Sequence, residues 1–243
     1  MTEQNEAKHL NKDEATISSM FNGIAGKYDL LNHLMSFGMD IRWRKRMVNT
    51  IIKEKGNSAK VLDLACGTGD LTFALSRKGF NVVGGDISQG MLDVAIAKKE
   101  TEKGLKGHIE FRNCSAESIP YPDGTFDAAT ISFGIRNFDH REKCLAEIRR
   151  VLKKDGKLYI MEFAEPRNRI WRFIFGMYFK YYTPAIGRMI SKDTSAYSYL
   201  PESVRQFPKY QAFIQEMEQE FENCSYRSLS GGIALLYKGN VRK

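Results

Sequence analysis

A strand-length apolar run ending in Gly-x-Gly limits this chain's options more than any other feature. In Val61-Leu62-Asp63-Leu64-Ala65-Cys66-Gly67-Thr68-Gly69-Asp70, apolar side chains at 61, 62, 64 and 65 lead directly into the glycines. Apolar residues on both faces of a strand suit a parallel sheet covered on each side by helices. Gly67 and Gly69 let the chain turn sharply and bring backbone close to a ligand without an intervening Cβ. A second apolar run closes on Asp86, 19 residues after Gly67, where an acid can accept hydrogen bonds from ribose hydroxyls.

The missing third glycine narrows the ligand. A dinucleotide turn wants glycine at position 72 for helix packing against a pyrophosphate, and this chain has Thr72. A phosphate-free nucleoside such as S-adenosylmethionine needs only the tight turn, polar groups for its aminocarboxylate and an acid for its ribose. Asp63, Gly67, Thr68, Gly69 and Asp86 supply that set. The glycines alone would equally fit an ordinary strand-to-helix turn; the acid closing the next strand favours a cofactor site.

Around this motif, apolar periodicity alternates strands 60–65, 80–86, 108–114, 125–133 and 156–163 with helices 70–78, 88–103 and 139–153. Such alternation predicts an α/β chain with a doubly wound, mostly parallel sheet and ligands at the strands' carboxyl ends. Two helices precede it, Thr16 to Ile24 and the basic Asp40 to Lys55, and residues 1 to 12 read as loose. A helix 208–222 and strands 224–229 and 232–238 close the chain and make seven strands. One domain is expected, divided into an N-terminal helical cap (1–57), a cofactor-binding core (58–164), an aromatic insertion (165–207) and the closing elements (208–243).

Cysteines 66, 114, 144 and 224 are widely spaced, with no Cys-x-x-Cys and no histidine pair at ligand spacing, so neither a disulfide framework nor a metal site is expected. Met1 to Glu14 lacks the basic and apolar regions of a secretory signal, and no run approaches the ~20 apolar residues of a membrane span, which points to the cytoplasm. With 37 Lys and Arg against 29 Asp and Glu, the net charge of +8 suits either nucleic acid or an anionic membrane surface.

More specific strings carry a resemblance. Tyr28-Asp29, Arg42-Trp43-Arg44, the glycine turn, Asp86-Ile87-Ser88, Ser132-Phe133-Gly134-Ile135-Arg136-Asn137, Tyr197-Ser198-Tyr199-Leu200-Pro201-Glu202-Ser203 and Gly231-Gly232-Ile233-Ala234 are similar to the ubiquinone/menaquinone biosynthesis C-methyltransferases, from about Met20 to Gly239. The resemblance implies the Rossmann-like fold of class I S-adenosylmethionine-dependent methyltransferases. It also implies methyl transfer to a demethylated, prenylated naphthoquinol, giving menaquinol, with a benzoquinol ubiquinone precursor as a further acceptor. Cofactor contacts would fall on Thr68, Asp86 with Ile87, the pair Ser115-Ala116, and Ser132, with Tyr28 closing over the methionine part. The family has Asn or Asp where this chain has Ser115, which leaves the backbone amide of Ala116 to meet the adenine.

Carbon methylation of a hydroquinone asks for alignment and for a group that stabilises the ring oxyanion. Arg136, just past the fourth strand, is expected in that role, the alternative being a surface arginine paired with Asp139 or Glu142. Asp29, His33 and Asp193 are the candidate bases; beside Leu34 and Met35, His33 reads equally as a packed residue. In the insertion, Trp171, Phe173, Ile174, Phe175 and Tyr178 lie among Arg167, Arg169, Arg172, Lys180 and Arg188, a pattern suited to a membrane surface, to a cap on the sheet or to a homodimer contact. A nucleic-acid methyltransferase is the main rival. Ser132-Phe133-Gly134-Ile135 replaces the Asn/Asp-Pro-Pro-aromatic string of exocyclic-nitrogen enzymes, and no cysteine follows a proline, so no nucleic-acid partner is expected.

Overall fold

The computed structural model describes residues 10–182 and 195–242, so Asp193 and Arg188 lie outside the described residues. Its centre is a seven-stranded sheet in the order β3-β2-β1-β4-β5-β7-β6. The strands are β1 (Lys60–Leu64), β2 (Asn81–Asp86), β3 (Ile109–Asn113), β4 (Phe126–Ser132), β5 (Leu152–Phe163), β6 (Phe221–Leu229) and β7 (Ala234–Val241). β1 pairs in parallel with β2 and β4, β2 with β3 and β4 with β5, whereas β7 runs antiparallel to β5 and β6. The expected doubly wound α/β sheet is therefore present, with strand order reversing at β1.

The apolar residues of β1 divide between two cores. Leu62 and Leu64 pack with Leu145 and Ile148 of α6 (Arg141–Val151) and with Phe213 of α9 (Gln211–Met217). On the other face Val61 packs with Met47 and Ile51 of α3 (Met39–Lys55) and with Leu71 and Leu75 of α4 (Asp70–Ser76). This two-sided cover is what an apolar run in a parallel strand requires.

At the N-terminus, Asp13 caps α1 (Glu14–Ile24), accepting the Thr16 amide proton at 2.8 Å. Helix α2 (Tyr28–Ser36) follows and ends where Phe37 and Gly38 adopt φ of 51° and 70°, turning the chain into α3. Ser88 caps α5 (Gln89–Thr101) through the Met91 amide at 3.2 Å. In the insertion, α7 (Arg169–Met177) runs into a widened turn, Tyr178–Tyr182, and α8 (Ser195–Gln206) leads back to the sheet.

Three helices, α1 to α3, precede the sheet where two are expected, and several boundaries differ from expectation. The closing helix occupies 211–217, because Tyr210 has φ 58° and fully buried Phe221 already pairs with Val241 in β6. The strand expected from 156 already begins at Leu152, with an excursion inside β5 where partners pass from Phe126↔Leu152 to Ala128↔Lys157. Lys12, expected to be loose, donates to the Arg136 carbonyl at 2.8 Å.

Candidate active site

The carboxyl ends of β1, β2 and β4 and the inner side of α1 enclose a crevice of about 750 Å³. Gly67, Gly85, Asp86, Ile87, Ala116 and Ser132 line it. The Asp86 carboxylate accepts the Gly67 amide through Oδ2 and the Ser88 amide through Oδ1, each at 2.8 Å. A carboxylate has about four acceptor positions, so two remain for hydroxyls in the crevice. The protein packed around Asp86 raises its pKa above the ordinary carboxylate value. Buried Ser132 Oγ has no hydrogen-bond partner among the described residues. Gly67 has φ 56°, and the Tyr28 ring lies 3.6 Å from the place a Cβ would take. An acid with spare acceptors, an orphan hydroxyl and a Cβ-free turn fit the ribose and aminocarboxylate of an adenosyl ligand.

Several residues expected in the crevice are placed elsewhere. Asp63 is 1 % exposed and turns into the core, accepting Thr72 Oγ1 at 2.7 Å and Thr130 Oγ1 at 2.8 Å. Its role is to tie β1 to α4 and β4, and burial pushes its pKa up to about 6. Thr72 therefore stands where a dinucleotide fold has glycine because it donates to Asp63. Thr68 Oγ1 donates to Asp29 rather than facing the crevice. Gly69 shapes the turn itself: its φ is 87°, and a Cβ there would lie 2.8 Å from the Phe73 ring. The Ser115 hydroxyl donates to Glu14 and accepts the Glu117 amide at 2.9 Å, so only Ala116 of that pair lines the crevice.

A second cavity of about 1450 Å³ adjoins the first, and Phe21, Tyr28 and Phe133 line both. Its walls are mostly apolar and come from α2, α3, α7 and α8, with Leu31, Met35, Trp43, Phe163, Ile174 and Phe175 among them. Arg136 reaches this cavity. It is 6 % exposed, not the surface residue paired with Asp139 or Glu142 that formed the alternative. Its Nη1 donates to Glu162 Oε1 at 2.8 Å and to the Phe133 carbonyl, and its buried Nε has no partner among the described residues. Nearby, Tyr199 Oη donates to Asn137 Oδ1 at 3.1 Å, with Tyr199 lining the apolar cavity and Asn137 the crevice. Burial pushes the Tyr199 pKa up to about 12, so it is a hydroxyl donor at neutral pH.

Neither described candidate base reaches these cavities. Asp29 accepts Thr68 Oγ1 on one oxygen and Lys98 Nζ at 2.9 Å on the other. His33 Nδ1 lies 2.9 Å from Asp40 Oδ2, at the edge of a network in which Arg44 bonds both Asp40 and, at 2.9 Å, Asp70. Burial raises the Asp70 pKa, but Arg44 and Lys98 outweigh it and hold the carboxyl below its ordinary value. His33, Asp40 and Asp70 are close enough together to face one cation, and the Arg44 guanidinium already supplies that charge.

Sequence alone does not point to Glu162, Tyr199, Asn137 or the contacts of Lys12 with Arg136 and Glu14 with Ser115. An acid inside the apolar stretch 158–163 of β5, as Glu162 is, is the one local signal that could have flagged the first.

Residues 8–240 match the model of the ubiE/COQ5 methyltransferase family. The chain is 41% identical over 223 residues to a demethylmenaquinone methyltransferase of Thermus thermophilus, covering 91% of this chain and 99% of that one. It is 40% identical over 233 residues to a ubiquinone/menaquinone biosynthesis C-methyltransferase of Brucella anthropi, covering 94% and 88%. Among solved structures, an S-adenosylmethionine-dependent methyltransferase of Thermotoga maritima, described as a possible histamine N-methyltransferase, superposes with TM-score 0.65 at 16% identity, over 93% of this chain and all of that one.

Proposed function

Because the chain belongs to the ubiE/COQ5 methyltransferase family and uses S-adenosylmethionine, we propose that its acceptor is a ring carbon of a demethylated, prenylated naphthoquinol, which becomes menaquinol. The observation that carries this reading is Arg136: a buried cation with an unpartnered Nε, lining a large apolar cavity that adjoins the adenosyl crevice.

The cofactor supplies an electrophilic methyl group. Asp86 and Ser132 would hold its ribose and polar chain, Ala116 would meet the adenine, and Tyr28 and Phe133, which line both cavities, would separate it from the acceptor. Arg136 faces the quinol oxygen and stabilises the form that has released its hydroxyl proton, so that charge spreads onto the ring carbon; that carbon takes the methyl group as S-adenosylhomocysteine leaves, and its ring proton then moves to the oxygen. The hydroxyl of Tyr199, steadied by Asn137, orients the ring. The apolar walls exclude water and suit a hydrocarbon tail rather than a polyanion.

No helix among the described residues is long and apolar enough to cross a membrane. Peripheral contact is proposed instead: Ile170 and Phe173 of α7 are 72% and 69% exposed, and Trp171 and Ile174 of the same helix line the cavity.

The test is methyl transfer from S-adenosylmethionine to demethylnaphthoquinols with and without a prenyl tail, with a benzoquinol as competitor. Lipids from cells lacking the gene should contain a naphthoquinone one methyl group short. A full complement of methylated naphthoquinone there would overturn the proposal.

A further inference from the structure

A second surface beside the acceptor cavity has no part in the chemistry above. The solvent side of α3 presents Arg42, Lys45, Arg46 and Lys53, and across a groove of about 1220 Å³ Arg227 of β6 joins them. Spacings of three, one and seven residues place the α3 cations along one side of the helix, away from Met47, Val48 and Ile51, which enter the core. All five cations are exposed, and none has an ion pair or a side-chain hydrogen bond among the described residues. Elsewhere on this molecule surface cations are commonly paired, as in Arg141 with Glu216 and Arg150 with Glu147. Five like charges held together without a counter-charge create a local positive potential that an external anion relieves.

Two connections tie the groove to the acceptor cavity. Met39 and Trp43 line both, and the Trp43 indole donates at 2.8 Å to the Oγ of Ser230, which also lines the groove. Trp171 of α7 packs over Gly231, the next residue, which has φ 70°. An apolar rim borders the cations: Phe37 and Ile41 are 66% and 55% exposed, and Phe37 stacks on Tyr182 with ring centroids 5.0 Å apart. Ile41 stands one helical turn before Lys45. Cations beside projecting aromatic and aliphatic groups match a bilayer interface, where phosphates lie above acyl chains.

We propose that the α3–β6 groove seats the phosphate groups of an anionic phospholipid bilayer while the Phe37, Ile41 and α7 rim enters the interface, so that the acceptor cavity opens toward lipid. This rests on the reading that the acceptor is a lipid-soluble quinol, and it fixes which face of the protein meets the membrane.

The full chain is sedimented with vesicles of phosphatidylcholine alone or mixed with phosphatidylglycerol, at constant ionic strength. The mixed vesicles should bind the protein more tightly. Arg46→Gln with Lys53→Gln should weaken that binding roughly thirtyfold, from about fivefold for each cation removed. Lys78→Gln with Lys103→Gln, an equal charge loss on another face, should leave it within about twofold. Both variants should keep the wild-type melting temperature and turnover of a tail-less naphthoquinol. Unchanged vesicle binding in the α3 variant, or an equal loss in the control, overturns the groove. So do release by inorganic phosphate at matched ionic strength, tighter binding to single-stranded RNA than to vesicles, or a lipid-independent change of oligomeric state in the α3 variant. If the wild type fails to methylate the tail-less naphthoquinol, the acceptor reading fails, and the vesicle comparison still decides the groove.

Discussion

Glu162 grips Arg136 from two directions: its Oε1 accepts the guanidinium Nη1 at 2.8 Å, and its Oε2 meets the Arg136 backbone amide at 3.3 Å. The acid is fully buried and the arginine nearly so. One edge of the guanidinium is thereby fixed, and Nε is left as a donor without an internal partner. A pair buried this way costs desolvation that its mutual attraction only partly offsets, so its presence points to positioning more than to stability.

Removing one partner should therefore harm the fold more than removing both. Glu162→Gln is expected to lower unfolding free energy by about 3–5 kcal/mol by leaving an unpaired interior cation. Arg136→Met combined with Glu162→Gln should recover much of that loss. Arg136→Met alone should reduce kcat on the order of 100-fold or more while cofactor affinity holds, as expected for a lost oxyanion stabiliser. Denaturant melts and single-turnover rates measure the two halves; a double variant no more stable than Glu162→Gln removes the desolvation argument.

Asp86 makes a separable prediction. Each of its oxygens already accepts one backbone amide, so Asp86→Ala loosens the Gly67 turn as well as deleting the ribose acceptors. Hydrogen bonds to a charged group contribute about 1.5–3 kcal/mol each. Cofactor affinity should fall on the order of 100-fold or more by calorimetry with S-adenosylhomocysteine. Asp86→Asn, which keeps one acceptor oxygen, should fall between the variant and wild type. Wild-type affinity in Asp86→Ala would exclude this carboxylate from the cofactor site.

Asp63 gives a pH dependence of opposite sign to the usual acid. Burial raises its pKa from 3.8 to about 6, so between those values the folded chain binds more protons than the unfolded one. Stability from this group is greatest below pH about 4 and declines as pH rises to about 6, by up to about 3 kcal/mol. Carboxyls held low, such as Asp70, change in the other direction, so the informative quantity is wild type minus Asp63→Asn. That difference should shift in favour of the variant as pH rises through the window. A difference that stays flat from pH 4 to 7 would mean that Asp63 does not titrate there.

The fold was largely legible because burial on both faces of β1, the glycine turn and Asp86 are local features of sequence. The same locality leaves the direction of side chains unread. Thr68, Asp63 and Asp29 stand in or near motifs, but where their side chains point depends on partners that are distant in sequence: Asp29 on Lys98, Asp63 on Thr130. His33 follows the same rule: Asp40 and the Arg44 it shares draw the ring to the helix junction, away from both cavities. Arg136 is flagged by its place after β4, yet Glu162, which orients it, sits 26 residues on in a strand whose pattern reads simply as interior.

Helix α7 divides its aromatic residues between two tasks, and the division can be read kinetically. Phe175 is 8% exposed and lines the acceptor cavity, whereas Phe173, two residues earlier, is 69% exposed on the outer side. In a helix that spacing sends side chains to opposite faces. Phe175→Ala enlarges the cavity and strips contacts from a bound tail, so KM for a long-tailed naphthoquinol should rise on the order of tenfold, while constants for a tail-less acceptor stay near wild type. Phe173→Ala should reverse the pattern, leaving KM for detergent-dispersed substrate unchanged and weakening partition onto vesicles. Steady-state kinetics on the two acceptors and vesicle sedimentation separate the cases. If Phe175→Ala affects both acceptors alike, the cavity does not hold the tail.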